Sequence, residues 1–242
     1  MSYQGFARIY DSLMDDFDYP LWAEYYDKLL PARGEILEAA AGTGNLTIPL
    51  IRRGHKLIAT DLSGEMLEQL QEKLIKSRLR AQLCRMDMTG LTVPHKVDAV
   101  LCGCDGVNYL TDLARVKAFF ASAKKCLKPG GVLAFDISSR YKLESVTAGN
   151  VFYEDRDDVT YLWTNALDED THVITMELAF FTKTDGGLYR RTDEVHVMRA
   201  HSAEEIVSLL NETGYSEVRV FGDRTDEKPK DDEMRIHFAA RG

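Results

Sequence analysis

Residues 37–45 read Leu37-Glu38-Ala39-Ala40-Ala41-Gly42-Thr43-Gly44-Asn45. An apolar run from Glu35 to Ala40 has the length of a buried strand. It ends in glycines and leads into a helix predicted to reach Arg53. Glycine lets a backbone turn sharply and approach a ligand closely. The helix that follows offers unpaired N–H groups at its start. A strand, a glycine turn and a helix in that order open a doubly wound α/β fold.

Strands and helices keep alternating beyond this loop. Lys56–Thr60 is a second strand ending at Asp61, and Ser63 is placed to cap a helix carrying Met66, Leu67, Leu70 and Leu74. Ala81–Cys84, Val97–Cys102 and Val132–Ile137 are further strands. The almost wholly apolar Val97–Cys102 suits a strand covered on both faces. Leu113–Leu127 is a helix, and Lys128-Pro129-Gly130-Gly131 is a turn. After Ser138 the rhythm changes. Val151–Glu154, Thr160–Asn165, His172–Phe181 and Tyr189–Met198 read as antiparallel strands, with Asp185-Gly186-Gly187 as a hairpin turn. Ser202 then caps a helix to Glu212 with Gly214 beyond it, and Tyr215–Phe221 and Arg235–Ala240 are the last strands. The charged linker 222–234 is expected to be mobile. The expected organisation is a helical cap over 1–34, a nucleoside-binding core over 35–140, an inserted antiparallel sheet over 141–199, and a completing helix and strands over 200–242.

Composition narrows the function. The chain has 242 residues, with Lys+Arg 30 and Asp+Glu 39 for a net charge of −9. A basic nucleic-acid surface is therefore not expected. No apolar stretch approaches the ~18 residues of a membrane span, and the N-terminus shows no secretory signal. Cys84, Cys102, Cys104 and Cys126 read as reduced thiols of a cytoplasmic protein. Cys102-x-Cys104 lacks a second Cys/His pair, so no metal is expected.

Asp61 stands 19 residues after Gly42, where nucleotide-binding α/β folds place an acid on ribose hydroxyls. Asp87, after the third strand, is placed to accept an adenine amino group. A dinucleotide loop would carry a small residue at position 47, where this chain has the β-branched Thr47. Glu38 would repel a pyrophosphate. It suits the ammonium and sulfonium of S-adenosylmethionine instead.

Together, the 37–44 loop, Ala59-Thr60-Asp61-Leu62-Ser63-x-x-Met66-Leu67, Asp87-Met88 and Leu127-Lys128-Pro129-Gly130-Gly131 resemble the ordered motifs of class I S-adenosylmethionine-dependent methyltransferases. The plan is similar to glycine and amino-sugar N-methyltransferases with an inserted antiparallel sheet after strand 5. The resemblance implies a Rossmann-like seven-stranded sheet in the order 3-2-1-4-5-7-6, with strand 7 antiparallel. It implies S-adenosylmethionine as cofactor, held by Tyr10, Trp22, Glu38, Ala40, Gly42, Gly44, Asp61, Leu62, Met66, Asp87, Met88 and Cys104. Two positions depart from the usual motif: Glu38 replaces an Asp, and Ala41 a frequent Cys.

The acceptor is expected beyond the fourth strand, near Gly103, Cys104, Asp105, Asn108 and Tyr109; the competing reading of the last two is capping and core packing. In the inserted sheet, strand alternation puts Arg190, Glu194, His196 and Met198 on one face and Val195 and Val197 on the other. The valines are expected to pack on the body or on a partner, which allows a homodimer through this sheet. His196, Tyr109 and Asn108 are the candidate catalytic residues, with His196 as general base. Residues 151–199 hold 11 acids against 5 Lys/Arg, which favours a small-molecule acceptor bearing an amine. The rival readings are a non-catalytic S-adenosylmethionine-binding protein, an NAD-linked oxidoreductase, and a protein or tRNA methyltransferase.

Overall fold

Val97-Asp98-Ala99-Val100-Leu101-Cys102 forms β4 (Val97–Cys102), and every residue of it except Asp98 is buried. It is the middle of a seven-stranded sheet in this computed structural model, which describes Asp11, residues 17–184 and residues 186–242. β1 (Glu35–Glu38) pairs with β4 on one side, followed by β2 (Lys56–Asp61) and β3 (Gln82–Arg85), all parallel. On the other side lie β5 (Leu127–Ser138), β11 (Arg235–Arg241) and β10 (Ser216–Phe221). β11 runs antiparallel to both its neighbours. Counting only the strands of this sheet, its order is 3-2-1-4-5-7-6, as the sequence motifs imply.

Helices cover both faces because successive side chains of a strand alternate sides. Ile36, Ala99 and Leu101 face α1 (Tyr19–Leu29) and α2 (Thr47–Arg52). Leu37, Val100 and Phe135 face α4 (Leu113–Cys126) and α5 (Ala203–Glu212), where Phe119, Phe120 and Ile206 are fully buried. Each such side chain contributes about 1.5–3 kcal/mol by leaving water. α3 (Gly64–Ser77) starts where Ser63 Oγ accepts from Met66 N, and packs Leu67, Leu70 and Leu74 inward. α5 opens with a reciprocal capping box between Ser202 and Glu205. None of the described helices is long and apolar enough to cross a membrane.

A π-helical segment (Tyr141–Thr147) leaves the core for a four-stranded antiparallel sheet of β6 (Val151–Asp155), β7 (Val159–Asp168), β8 (Val173–Lys183) and β9 (Tyr189–Arg199). The linker 222–234 differs from its expected mobility. Gly222 N donates to Glu227 O, Tyr25 Oη to Thr225 O, and Ser139 N to Met234 O. These hydrogen bonds hold the segment against α1 and the end of β5.

The two sheets are joined by Asn108, fully buried in a 3₁₀ turn (Gly106–Tyr109) after β4. Its amide nitrogen donates to Ser138 O (3.0 Å) and Arg199 O (2.9 Å), and its oxygen accepts from Ser138 N (2.9 Å). Asn108→Ala should cost about 2–4 kcal/mol, because it leaves buried main-chain groups unpaired. Urea denaturation checks this, and an unchanged midpoint would show that the clamp is dispensable.

Candidate active site

The glycine loop turns through three left-handed residues, Ala40 (φ 53°), Gly42 (φ 55°) and Gly44 (φ 82°). At Gly44 a β-carbon would also lie 2.0 Å from Leu70 Cδ1, whereas Gly42 faces open space. Asp61 holds the loop from the end of β2. Its Oδ2 accepts from Gly42 N and its Oδ1 from Ser63 N, both at 2.8 Å. Glu38 is buried at the end of β1, and Thr47 Oγ1 donates to its Oε2 at 2.6 Å. Burial pushes the Glu38 carboxyl up to about 7, and Asp61 adds to the rise against the Thr47 bond. Thr47, read from sequence only as a departure from a dinucleotide loop, is thus the side chain that aims Glu38.

Asp11 lies across the same loop. It accepts from Thr43 Oγ1 (2.7 Å) and Asn45 Nδ2 (2.9 Å) and pairs with Lys73 Nζ (2.6 Å). Tyr10, the expected cofactor tyrosine, lies outside the described residues. Trp22 lines a cavity with Phe17, Lys142 and Arg235. It is buried against the start of β11, 5.2 Å from the His237 ring and under the Arg235 guanidinium, and it packs α1 onto the sheet.

On the β2–β3 side, Leu62 is exposed beside Asp61, while Met66 is buried in α3. Asp87 Oδ1 accepts from Thr89 N (2.9 Å), and its Oδ2 meets Arg115 (3.1 Å). Ala40, Met88 and Cys102 converge on Gly106, where an added β-carbon would stand 3.0 Å from Ala40 Cβ and 4.0 Å from Met88 Cε.

The end of β4, where sequence reading put Cys104 and Asp105, rests on a buried group that it missed. Cys104 (φ 57°) and Asp105 (φ 54°) are consecutive left-handed residues, a conformation costly without glycine. The fully buried Asp136 of β5 takes both of their N–H groups, at 2.7 and 2.9 Å. It also accepts from Tyr26 Oη (2.6 Å) and from Arg235. Arg235 bridges on to Asp105 (3.0 Å), which accepts from Ser138 Oγ (2.7 Å). Burial would raise the Asp105 carboxyl, but Arg235 and Lys142 outweigh it and hold it below the usual range. Burial, with Asp136 nearby, pushes the Cys102 and Cys104 thiols well up, so both stay protonated. A lone acid in the run Val132–Ile137 and a lone Arg opening the last strand were the available signals. Among the described residues, no cluster of His, Cys, Asp or Glu could hold a metal ion.

Tyr109 and His196 meet: Tyr109 Oη lies 3.1 Å from His196 Nδ1, with the rings edge to face. Burial lowers the His196 pKa, and Asp105 opposes this only in part. Glu194 and Met198 are buried on the same face as His196. Arg190 is exposed. Of the two coverings expected for Val195 and Val197, the body or a partner, the body does not provide one; they are 53% and 39% exposed. The face opposite His196 looks away from the core, which leaves them uncovered. Asn108 also departs from its expected place facing an acceptor, because its amide is engaged by main chain.

These groups suit S-adenosylmethionine: a buried carboxyl for its ammonium, an open glycine cradle, and an acid at the end of β2 for its ribose. Comparison with known proteins agrees. Residues 36–131 match the family model described as "Methyltransferase domain". The Bacillus subtilis (strain 168) protein YqeM, named as a methyltransferase, is 35% identical over 243 residues, 100% of this chain and 97% of that one. An S-adenosylmethionine-dependent methyltransferase from Clostridium acetobutylicum ATCC 824 superposes with a TM-score of 0.86 at 33% identity, over 99% and 98% of the two chains. The chain is a class I S-adenosylmethionine-dependent methyltransferase. In fold it also resembles CalS10, an amino pentose methyltransferase from Micromonospora echinaspora, with a TM-score of 0.76 at 20% identity over 100% and 98% of the chains.

Two predictions follow from how this methyltransferase would hold its cofactor. Asp61→Ala should weaken S-adenosylhomocysteine by about 1–3 kcal/mol through lost charge-assisted hydrogen bonds; calorimetry measures this, and an unchanged affinity would remove Asp61 from the site. The second concerns pH. Glu38 ionises near 7 in the free protein, and only its carboxylate attracts an ammonium. Affinity should be full above that pH and fall as pH drops through it, approaching tenfold per unit. Glu38→Gln should flatten the slope.

Proposed function

We propose that the methyltransferase acts on a small-molecule amine that lies against the contact between Tyr109, at the mouth of β4, and His196, on the inner face of β9. The 3.1 Å contact between these two side chains carries the reading. They come from different sheets, and they meet beyond the carboxyl ends of the strands, where ligands of open α/β folds bind.

When bound, S-adenosylmethionine supplies an electrophilic methyl group on a sulfonium. Glu38, Asp61 and the 40–44 loop hold and orient it, and the inserted sheet limits water. The remaining chemical need is to strip a proton from the acceptor nitrogen. His196 fits that need because burial keeps it neutral. The unprotonated nitrogen of the neutral ring carries the lone pair that takes up a proton. The acidity of the inserted sheet supports a cationic acceptor. The fold likeness to an amino pentose methyltransferase supports the same class.

Methyl transfer to a panel of small amines, read by mass spectrometry, tests this. His196→Ala should lower turnover ~10²-fold or more with S-adenosylhomocysteine affinity nearly unchanged. The wild-type rate should fall on the acid side, as His196 becomes protonated. Turnover indifferent to His196 would overturn the reading.

A further inference from the structure

Across the inner face of the four-stranded sheet, Trp163 on β7 pairs with Leu178 on β8, and Leu178 pairs with Glu194 on β9. Adjacent strands lie ~4.8 Å apart, so the Trp163 and Glu194 backbones stand about 10 Å apart with Leu178 between them. Each end of this row carries a buried polar atom without a hydrogen-bond partner. At one end it is Trp163 Nε1, a donor; at the other it is Glu194 Oε1, an acceptor. Buried polar atoms in folded proteins are nearly always paired. Two unpaired atoms of opposite kind in one row call for a ligand that offers a donor to one and an acceptor to the other.

The surroundings define that ligand further. Glu194 is only 7% exposed. Burial raises its carboxyl, Glu65 in the first turn of α3 adds to the rise, and the terminal ammonium of the chain opposes them only in part. A cation placed beside it relieves both effects. His196, two residues along the same strand face, is not that cation, because burial keeps it neutral. At the other end the indole is braced by Phe152, 5.0 Å away between ring centroids. In the row between the two ends stands Leu178, which with the indole packs on the apolar cluster of Leu143, Ile174, Met176 and Met198 and stays only partly buried, an apolar bed for a carbon skeleton.

We propose that Glu194 and Trp163 form the acceptor-recognition subsite for a hydroxylated amine about the size of an amino sugar. Glu194 takes the ammonium, Trp163 Nε1–H donates to a hydroxyl, and the carbon framework lies on Leu178. The assignment rests on the acceptor lying beside His196, as proposed above. It adds what would set the enzyme's choice of substrate: a positive nitrogen at one end and a hydroxyl at the other.

The chain has two tryptophans, so its ¹⁵N–¹H spectrum carries two indole cross-peaks, and Trp163→Phe identifies one of them. The full chain saturated with S-adenosylhomocysteine is titrated with glucosamine, and with N-acetylglucosamine as the uncharged control. Glucosamine should move the Trp163 peak saturably and leave the Trp22 peak in place, and N-acetylglucosamine should not. Glu194→Gln, with S-adenosylhomocysteine affinity retained, should weaken the response tenfold or more. If that variant fails to bind S-adenosylhomocysteine, Glu194→Met replaces it. A Trp163 peak that ignores glucosamine, responds equally to the acetylated sugar, or responds undiminished in the Glu194 variant overturns the subsite. Such a failure alongside His196-dependent methyl transfer removes the subsite alone. Transfer indifferent to His196 removes the reading beneath it.

Discussion

The carboxylate of Asp136 is the interaction on which the site depends. Fully buried on β5, it accepts from Tyr26 on α1, from the N–H groups of Cys104 and Asp105 after β4, and from Arg235 at the start of β11. One side chain thereby fixes four elements at the carboxyl edge of the sheet. A buried carboxylate is costly unless paired and hydrogen-bonded, and here it is both. In return it holds two successive left-handed residues that the chain would otherwise avoid. Those residues aim the turn that carries Asn108 and Tyr109. Arg235 serves two acids, Asp136 and Asp105, so truncating it would leave both charges buried with their main cation gone.

Much of this architecture was legible in sequence because it follows local rules. The parallel strands announced themselves as apolar runs bounded by glycines and acids. The caps at Ser63 and Ser202 lay where their helices begin, and period-two alternation put Glu194 and His196 together. What stayed hidden was contact between residues far apart in the chain. Asp136 and Tyr26 are 110 residues apart, and Arg235 is 99 beyond Asp136. Nothing in the neighbourhood of any of these says that they meet. Trp22 was ambiguous for the same reason: an aromatic stripe on a helix looks alike whether it covers a ligand or a strand end. The linker 222–234 was misjudged because charge suggests solvation, whereas its tethers are main-chain groups that composition does not reveal.

The Glu38–Thr47 pair shows how a departure from one motif can serve another. A β-branched residue at position 47 is unwelcome where a helix must pack closely on a strand beside a pyrophosphate. Here its hydroxyl lies 2.6 Å from a buried carboxyl. The hydrogen bond favours the charged form that burial opposes, and the balance leaves Glu38 near 7. A carboxyl held at that point is poorly solvated when empty and gains most when a cation arrives. Glutamate reaches one methylene further than the aspartate usual in this motif, and Thr47 limits where that extra reach goes.

The two halves of the site are built by different sheets, and their spacing follows from one amide. Asn108 is bonded to Ser138 at the end of β5 and to Arg199 at the end of β9. The residue after Asn108 is Tyr109, and His196 is three positions before Arg199 on the same strand. The clamp therefore sets the separation of the core from the inserted sheet within a few residues of the Tyr109–His196 contact. Arg199 is itself held by Glu205 in the α5 capping box at 2.7 Å, so the end of β9 that the clamp grips is also tied to the core. An inserted sheet anchored this way can vary along its outer strands, where Phe152 and Trp163 lie, without moving His196 on β9.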